Sequence, residues 1–158
     1  VRQVQVRRRW PDRLEVIIEE HVALARWGNV GLVNTLGERF DAASNESLPV
    51  LEGPEGSELE LARGLMAFRG ILAPLGKQPS RVWLSARRAW RLELDKEWVV
   101  EVGRDEAEKR LGKFVAAYPN SLARLNREIR YVDLRYPNGF AVRLPDFKPA
   151  SAPAQTPA

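Results

Sequence analysis

Apolar and polar positions alternate from the first residues, with Val4 and Val6 in VRQVQVRRR and then LEVIIEE after Trp10, Pro11, Asp12 and Arg13. Two-residue periodicity on both sides of a proline-containing turn predicts a β-hairpin. Gly28 breaks that pattern, and GLVN and ERF flank Thr35, Leu36 and Gly37, where glycine can take a positive φ. A second, smaller hairpin is predicted there. Residues 41–56 are rich in Ser, Asn, Pro and Gly and read as an irregular connection. From Ser57 the period changes: Leu61, Leu65, Phe68 and Leu72 fall on one helical face, and Ser57 with Glu60 spells a capping box. This predicts a helix to about residue 73, ended by Pro74 and Gly76.

Strand character returns in RVWLS, AWRLEL and WVVEV, with Trp90, Leu92 and Leu94 on one face, Trp98, Val100 and Val102 on the matching face, and Asp95, Lys96 and Glu97 as the turn. A second helix follows from Asp105 and Glu108, its apolar positions Ala107, Leu111, Phe114, Val115 and Tyr118 recurring at helical spacing until Pro119. After a short piece around Leu122 and Leu125 come IRYVDLRY and FAVRL, joined by Pro137, Asn138 and Gly139, which fit a type I turn with a G1 bulge. Residues 146–158, rich in Pro and Ala, are expected to be disordered. The predicted fold class is α+β: an antiparallel sheet with two amphipathic helices packed on one face, the first hairpin belonging to a separate small unit.

The chain has 158 residues, 44% of them hydrophobic and 29% charged, which describes a globular chain and excludes disorder throughout. No apolar run approaches the length that spans a bilayer. Because the chain opens at Val1 and already in a strand pattern, it is expected to come from a longer protein. Its net charge of +4 resides in Arg2, Arg7, Arg8 and Arg9, since residues 1–9 contain no acid. A basic-patch domain for polyanions or nucleic acid is the alternative this charge raises. Its confinement to one short segment, without aromatic and basic residues interleaved, argues against a nucleic-acid partner.

Enzymatic signals are weak. With no cysteine and a single histidine, His21, the sequence offers no metal-ligand set, and neither a metal nor a cofactor is expected. Gly53, Pro54, Glu55, Gly56 and Ser57 precede a helix, but no Gly-Lys-Ser/Thr follows, and a turn with a cap is the better reading. No acid pair is marked out as a catalytic dyad. Trp83, Trp90 and Trp98 sit in strands and are expected in the core. The run Arg7 to Arg9 reads as a solvated strand edge. FAVRL, a final strand with no later strand to pair with, can leave outer backbone groups open to a partner strand.

Five segments, RRRWPDRLEVIIEEHVALARWG, LPVLEGPEGS, SARRAWRLEL, VGRDEAEKRLGKFVAAYP and YVDLRYPNGFAVRLP, resemble in order and spacing the FtsQ/DivIB family of bacterial cell-division proteins, over residues 1 to about 145. The resemblance implies a single-pass inner-membrane protein of the division septum, with residues 1–26 as the C-terminal hairpin of a periplasmic POTRA domain, 27–145 as the β-domain and 146–158 as a tail. The membrane helix and the rest of POTRA are absent from this chain. The resemblance further implies a non-enzymatic divisome scaffold that binds FtsB, and FtsL through it, by strand addition, so helping to control septal peptidoglycan synthesis. Carried over by motif, the partner-binding residues are Arg87 of RRxW, Arg135 and Tyr136 of LRY, Asn138 and Gly139 in the turn, and Phe140, Ala141, Val142, Arg143 and Leu144 in the receiving strand. The helix before Pro119 departs from the family pattern, with Ala116 and Ala117 where an acid and a larger apolar residue are usual. Alternation places Tyr136 with Val132 and Leu134, so it fits either core or interface. Tyr and Arg commonly carry interface energy, which favours the interface.

Overall fold

The computed structural model describes residues 1–125 and 127–145; the expected disordered tail, 146–158, lies outside them. Two strands, β1 (Gln3–Arg9) and β2 (Arg13–Glu19), form an isolated antiparallel hairpin. Both strands are exposed throughout. Val4 pairs with Ile18 and Val6 with Val16, so one hairpin face is an uncovered apolar row. Arg2 ties the hairpin to the rest of the chain, bonding Glu19 at 2.6 Å and Glu38 at 2.6 Å.

The remaining strands make one sheet of nine. They are β3 (Ala23–Trp27), β4 (Leu32–Asn34), β5 (Arg39–Phe40), β6 (Val50–Glu52), β7 (Pro79–Leu84), β8 (Trp90–Leu94), β9 (Trp98–Gly103), β10 (Tyr131–Asp133) and β11 (Ala141–Arg143). Their order across the sheet is β11, β10, β9, β8, β7, β6, β3, β4, β5. Helix α1 (Glu58–Leu72) lies between β6 and β7 in the chain, and α2 (Ala107–Ala117) between β9 and β10. The sheet begins at Ala23, so the expected unit boundary at residue 26 falls within β3.

The sheet is mixed, which corrects the antiparallel expectation. β6 runs parallel to both β3 and β7, and β10 parallel to β9. α1 carries the chain back between β6 and β7, and α2 between β9 and β10, so the strands before and after each helix point the same way, whereas β3 reaches β6 through β4, β5 and a loop. β6 itself lies inside the stretch read as irregular. Between Pro49 and Gly53, three residues are too short to display a period, yet Leu51 is fully buried and the strand bridges β3 to β7.

The periodicities elsewhere are matched. Leu61, Leu65, Phe68 and Leu72 of α1 and Leu111, Phe114 and Val115 of α2 join Val82, Leu92, Val100 and Val132 in a single core cluster. Gly64 lets α1 close on Trp90: a Cβ there would stand 2.5 Å from the indole. Trp90 in turn meets Phe68 edge-on at 5.2 Å. Trp83 departs from its expected place. Only half-buried, it donates its indole N–H to Glu52 at 2.6 Å, beside Arg81. The capping box is not formed either, because the Ser57 hydroxyl donates to the Pro54 carbonyl at 2.5 Å instead of accepting from the helix.

Leu51→Ala should therefore cost about 2–5 kcal/mol, since it opens a cavity where three residues join two parts of the sheet. Urea denaturation measures this; a loss under about 1 kcal/mol would show that the β6 joint is not a stability determinant.

Candidate functional site

The carried-over residues gather at one end and edge of the sheet. β11 is the terminal strand among the described residues, paired on one side to β10 through Tyr131 with Arg143, Val132 with Val142 and Asp133 with Ala141. The turn before it, through Pro137 and Asn138, is present, but Gly139 stays out of the left-handed region, so the expected G1 bulge is not made. Phe140 precedes the strand and packs edge-on against Phe114 of α2 at 5.2 Å. Val142 and Leu144 also lean on the core, whereas Ala141 and Arg143 face solvent. Arg143 lies over the Tyr131 ring at 5.3 Å.

Tyr136 is 56% exposed and is not a core residue. It lines two hollows, the second of them bounded by β11 itself. One, about 490 Å³, is walled by Lys109, Arg110 and Lys113 of α2 and floored by Phe114, Leu134 and Phe140. The other, about 430 Å³, is lined by Tyr131, Asp133, Arg135, Val142 and Leu144. Ala117 lines the first hollow while Ala116 does not, so the helix that departs from the family pattern still borders this edge.

Arg135 grips Asp133 side-on, its Nε donating to Oδ1 at 2.9 Å and its Nη2 to Oδ2 at 2.7 Å. The guanidinium bonds hold the Asp133 carboxyl below the usual carboxylate range, against the opposing effect of burial. They raise the already basic Arg135 further. Arg87 is exposed in the turn between β7 and β8; β8 pairs Trp90 with Gly103, so that turn shares the sheet end at which Arg135 lies. Its neighbour Arg88 is engaged by Glu60 at 2.6 Å. The sequence reading overlooked Asp133 and Arg110. The signal for Asp133 was its place two residues before Arg135, on the same strand face.

Other features have structural partners. His21 stacks on Phe40 at 4.3 Å, with Asn34 Nδ2 3.0 Å from its Nδ1. Among the described residues, no three His, Cys, Asp or Glu side chains come together as a metal site. A larger hollow, about 740 Å³, lies between α1 and the start of α2 over Leu59, Gly64, Phe68 and Trp90. It offers no free strand, and rim charges such as Glu60 and Glu106 are paired within the chain. Arg7, Arg8 and Arg9 are exposed on β1.

Comparison with known proteins places this arrangement in a class whose members act in bacterial cell division. The family defined as "Cell division protein FtsQ/DivIB, C-terminal" matches residues 25–135. Cell division protein FtsQ of Nitrosospira multiformis is 47% identical over 143 residues, covering 90% of this chain and 61% of that protein. The FtsQ of Burkholderia pseudomallei is 43% identical over 150 residues, covering 90% and 60%. That of Escherichia coli is 36% identical over 149 residues, covering 90% and 54%. The chain belongs to the FtsQ/DivIB family of cell division proteins. It spans between 54% and 61% of the length of these three relatives.

This geometry has two measurable outcomes. Because Asp133 ionises more readily folded than unfolded, the pair stabilises the chain fully above the ordinary carboxylate value of about 3.9, and that stabilisation is lost as pH falls through the lowered one. Thermal melts from neutral pH down to strong acid should show a shallower acid decline for Asp133→Asn than for the parent; parallel declines would refute it. Tyr136→Ala should leave stability within about 0.5 kcal/mol of the parent, as exposed positions do. A melt lowered as a core cavity lowers it would return Tyr136 to the core.

Proposed function

We propose that this chain is part of a non-enzymatic divisome scaffold and that it receives the periplasmic C-terminal segment of FtsB as a strand added to β11, with FtsL joined through FtsB. The observation that carries the reading is the open edge: β11 ends the sheet among the described residues, and the exposed Tyr136 stands between a hollow against α2 and another along β10 and β11. In strand addition the main chain supplies hydrogen bonds while alternate side chains fill flanking pockets. One such pocket lies along β11 and another at the turn before it, and Arg87 and Arg135 at the same sheet end suit acids on the partner. Asn138 and Gly139 leave the turn small enough for a strand to pass, and Phe140 to Leu144 form the receiving segment.

On this reading the chain acts on the periplasmic side of the inner membrane at the septum, helping to control septal peptidoglycan synthesis. A membrane helix outside the sequence given anchors the whole protein. Among the described residues no helix is long and apolar enough to cross a membrane. The β1–β2 hairpin is read as the closing hairpin of a POTRA domain, for which its uncovered row of Val4, Val6, Val16 and Ile18 is suited, since such a row needs a packing partner to be buried. The β-domain then takes up residues 27–145, with β3 at the junction.

Titration calorimetry with the FtsB segment tests the reading. Binding is expected, and no heat at high peptide concentration would sink it. Tyr136→Ala should cost about 2 kcal/mol or more of binding, as aromatic hot spots do. Arg87→Ala should also weaken binding, by an amount that shrinks as salt rises because its side chain is exposed. A Tyr136→Ala variant that binds like its parent would move the contact away from this edge.

A further inference from the structure

Asp133 is an unusual residue for a three-residue strand beside the core, since its side chain is only 11% exposed and an apolar side chain would be cheaper to bury. All its side-chain hydrogen bonds go to one neighbour. Oδ1 accepts from the backbone N–H of Arg135 at 3.0 Å and from its Nε at 2.9 Å, and Oδ2 accepts from Nη2 at 2.7 Å. This side-on grip leaves Nη1 of Arg135 without an acceptor among the described residues, on a side chain 57% exposed. The guanidinium is therefore fixed in place while one of its nitrogens stays available.

Gly103 completes the seat. A Cβ at this position would stand 3.1 Å from Cγ of Arg135 and 2.7 Å from Nη1 of Arg110, and the φ of +89° disfavours any side chain. Glycine suits this left-handed backbone, and a side chain here would crowd both arginines where they lie over this end of β9. Arg110 is held there by the Val102 carbonyl at 3.3 Å. Two guanidinium groups against one carboxylate leave a positive charge to be matched. A planar fork already held rigid loses little freedom when an oxyanion docks.

We propose that Asp133 and Gly103 are positioning residues that aim Arg135, with Arg110 beside it, at a carboxylate carried by an acidic peptide segment of the partner. The proposal rests on the strand-addition reading and adds to it the residues that set its preference for acid. A peptide fits better than a polyanion. Lys109, Arg110, Lys113 and Arg135 stand against Glu106 and Asp133, an excess of two charges confined to one corner, and Tyr136 and the apolar floor of Leu134, Phe114 and Phe140 adjoin it, which suits a segment mixing one or two acids with apolar side chains.

The test measures binding of the FtsB periplasmic segment, and of the same peptide with its acids changed to amides, to the parent chain, Asp133→Asn, Arg135→Lys and Arg135→Ala. Asp133→Asn should weaken binding about tenfold while still melting cooperatively. Adding it to Arg135→Ala should cause no further loss, because it acts through that side chain. Arg135→Lys, which keeps the charge but not the side-on grip, should bind about as weakly as Asp133→Asn, and it reads the same point at an exposed position should Asp133→Asn unfold. The amide peptide should bind all four chains with similarly low affinity. Parental affinity in Asp133→Asn or Arg135→Lys overturns the positioning role while leaving strand addition standing. No binding by the parent overturns strand addition itself.

Discussion

Two short strands with parallel pairings, β6 and β10, hold the domain together. β6 offers three residues to β7 and two to β3, and β10 offers three to β9. Each is the point at which the chain, having gone over a helix or a loop, is stitched back into the sheet. Without the first, β3, β4 and β5 lose their hydrogen-bonded connection to the rest of the sheet. Without the second, β10 and β11 have no place to attach. Since so few backbone bonds make these joints, side-chain burial must fix them. Leu51 and Val132 do so, both fully buried and both in the same core as the helices.

The same joint explains why the candidate edge lies where it does. α2 leaves β9, turns through Tyr118–Asn120 and Ala123–Leu125, and lets β10 start beside Val99. β11 then folds back on β10 at the margin of the sheet, and Phe140 just before it meets Phe114 of α2. One helix thus supports the edge strand from below and supplies lysine and arginine along its flank.

Much of this was legible in the sequence. Leu61, Leu65, Phe68 and Leu72 announced α1, the Trp90 and Trp98 faces announced the β8–β9 pair, and FAVRL was readable as a last strand. The motif residues of the candidate edge could be placed by resemblance before any geometry. The rest escaped because its cause is tertiary. Three residues between Pro49 and Gly53 carry no period, so β6 was invisible, and strand direction is set by what the intervening helix does. Ser57 had the right spacing for a capping box but found the Pro54 carbonyl first. Trp83 lies between the buried Val82 and Leu84, so alternation turns it to the other face of the sheet, where its indole N–H meets Glu52 at a half-buried position. Asp133 is enclosed by the side chain of Arg135 two residues on, a contact that strand alternation allows but does not dictate.

Three ladder residues in β11 also limit what the edge will accept. Each backbone hydrogen bond contributes only about 1 kcal/mol net, so a strand that brought main-chain bonds alone would dissociate quickly. Long, sticky edges recruit any extended chain, including other copies of themselves. A short one is a poor template for indiscriminate pairing and for fibre growth. On the proposed strand addition, such an edge retains a visitor only when side chains lengthen its stay, which makes residence time, more than encounter, the quantity it controls.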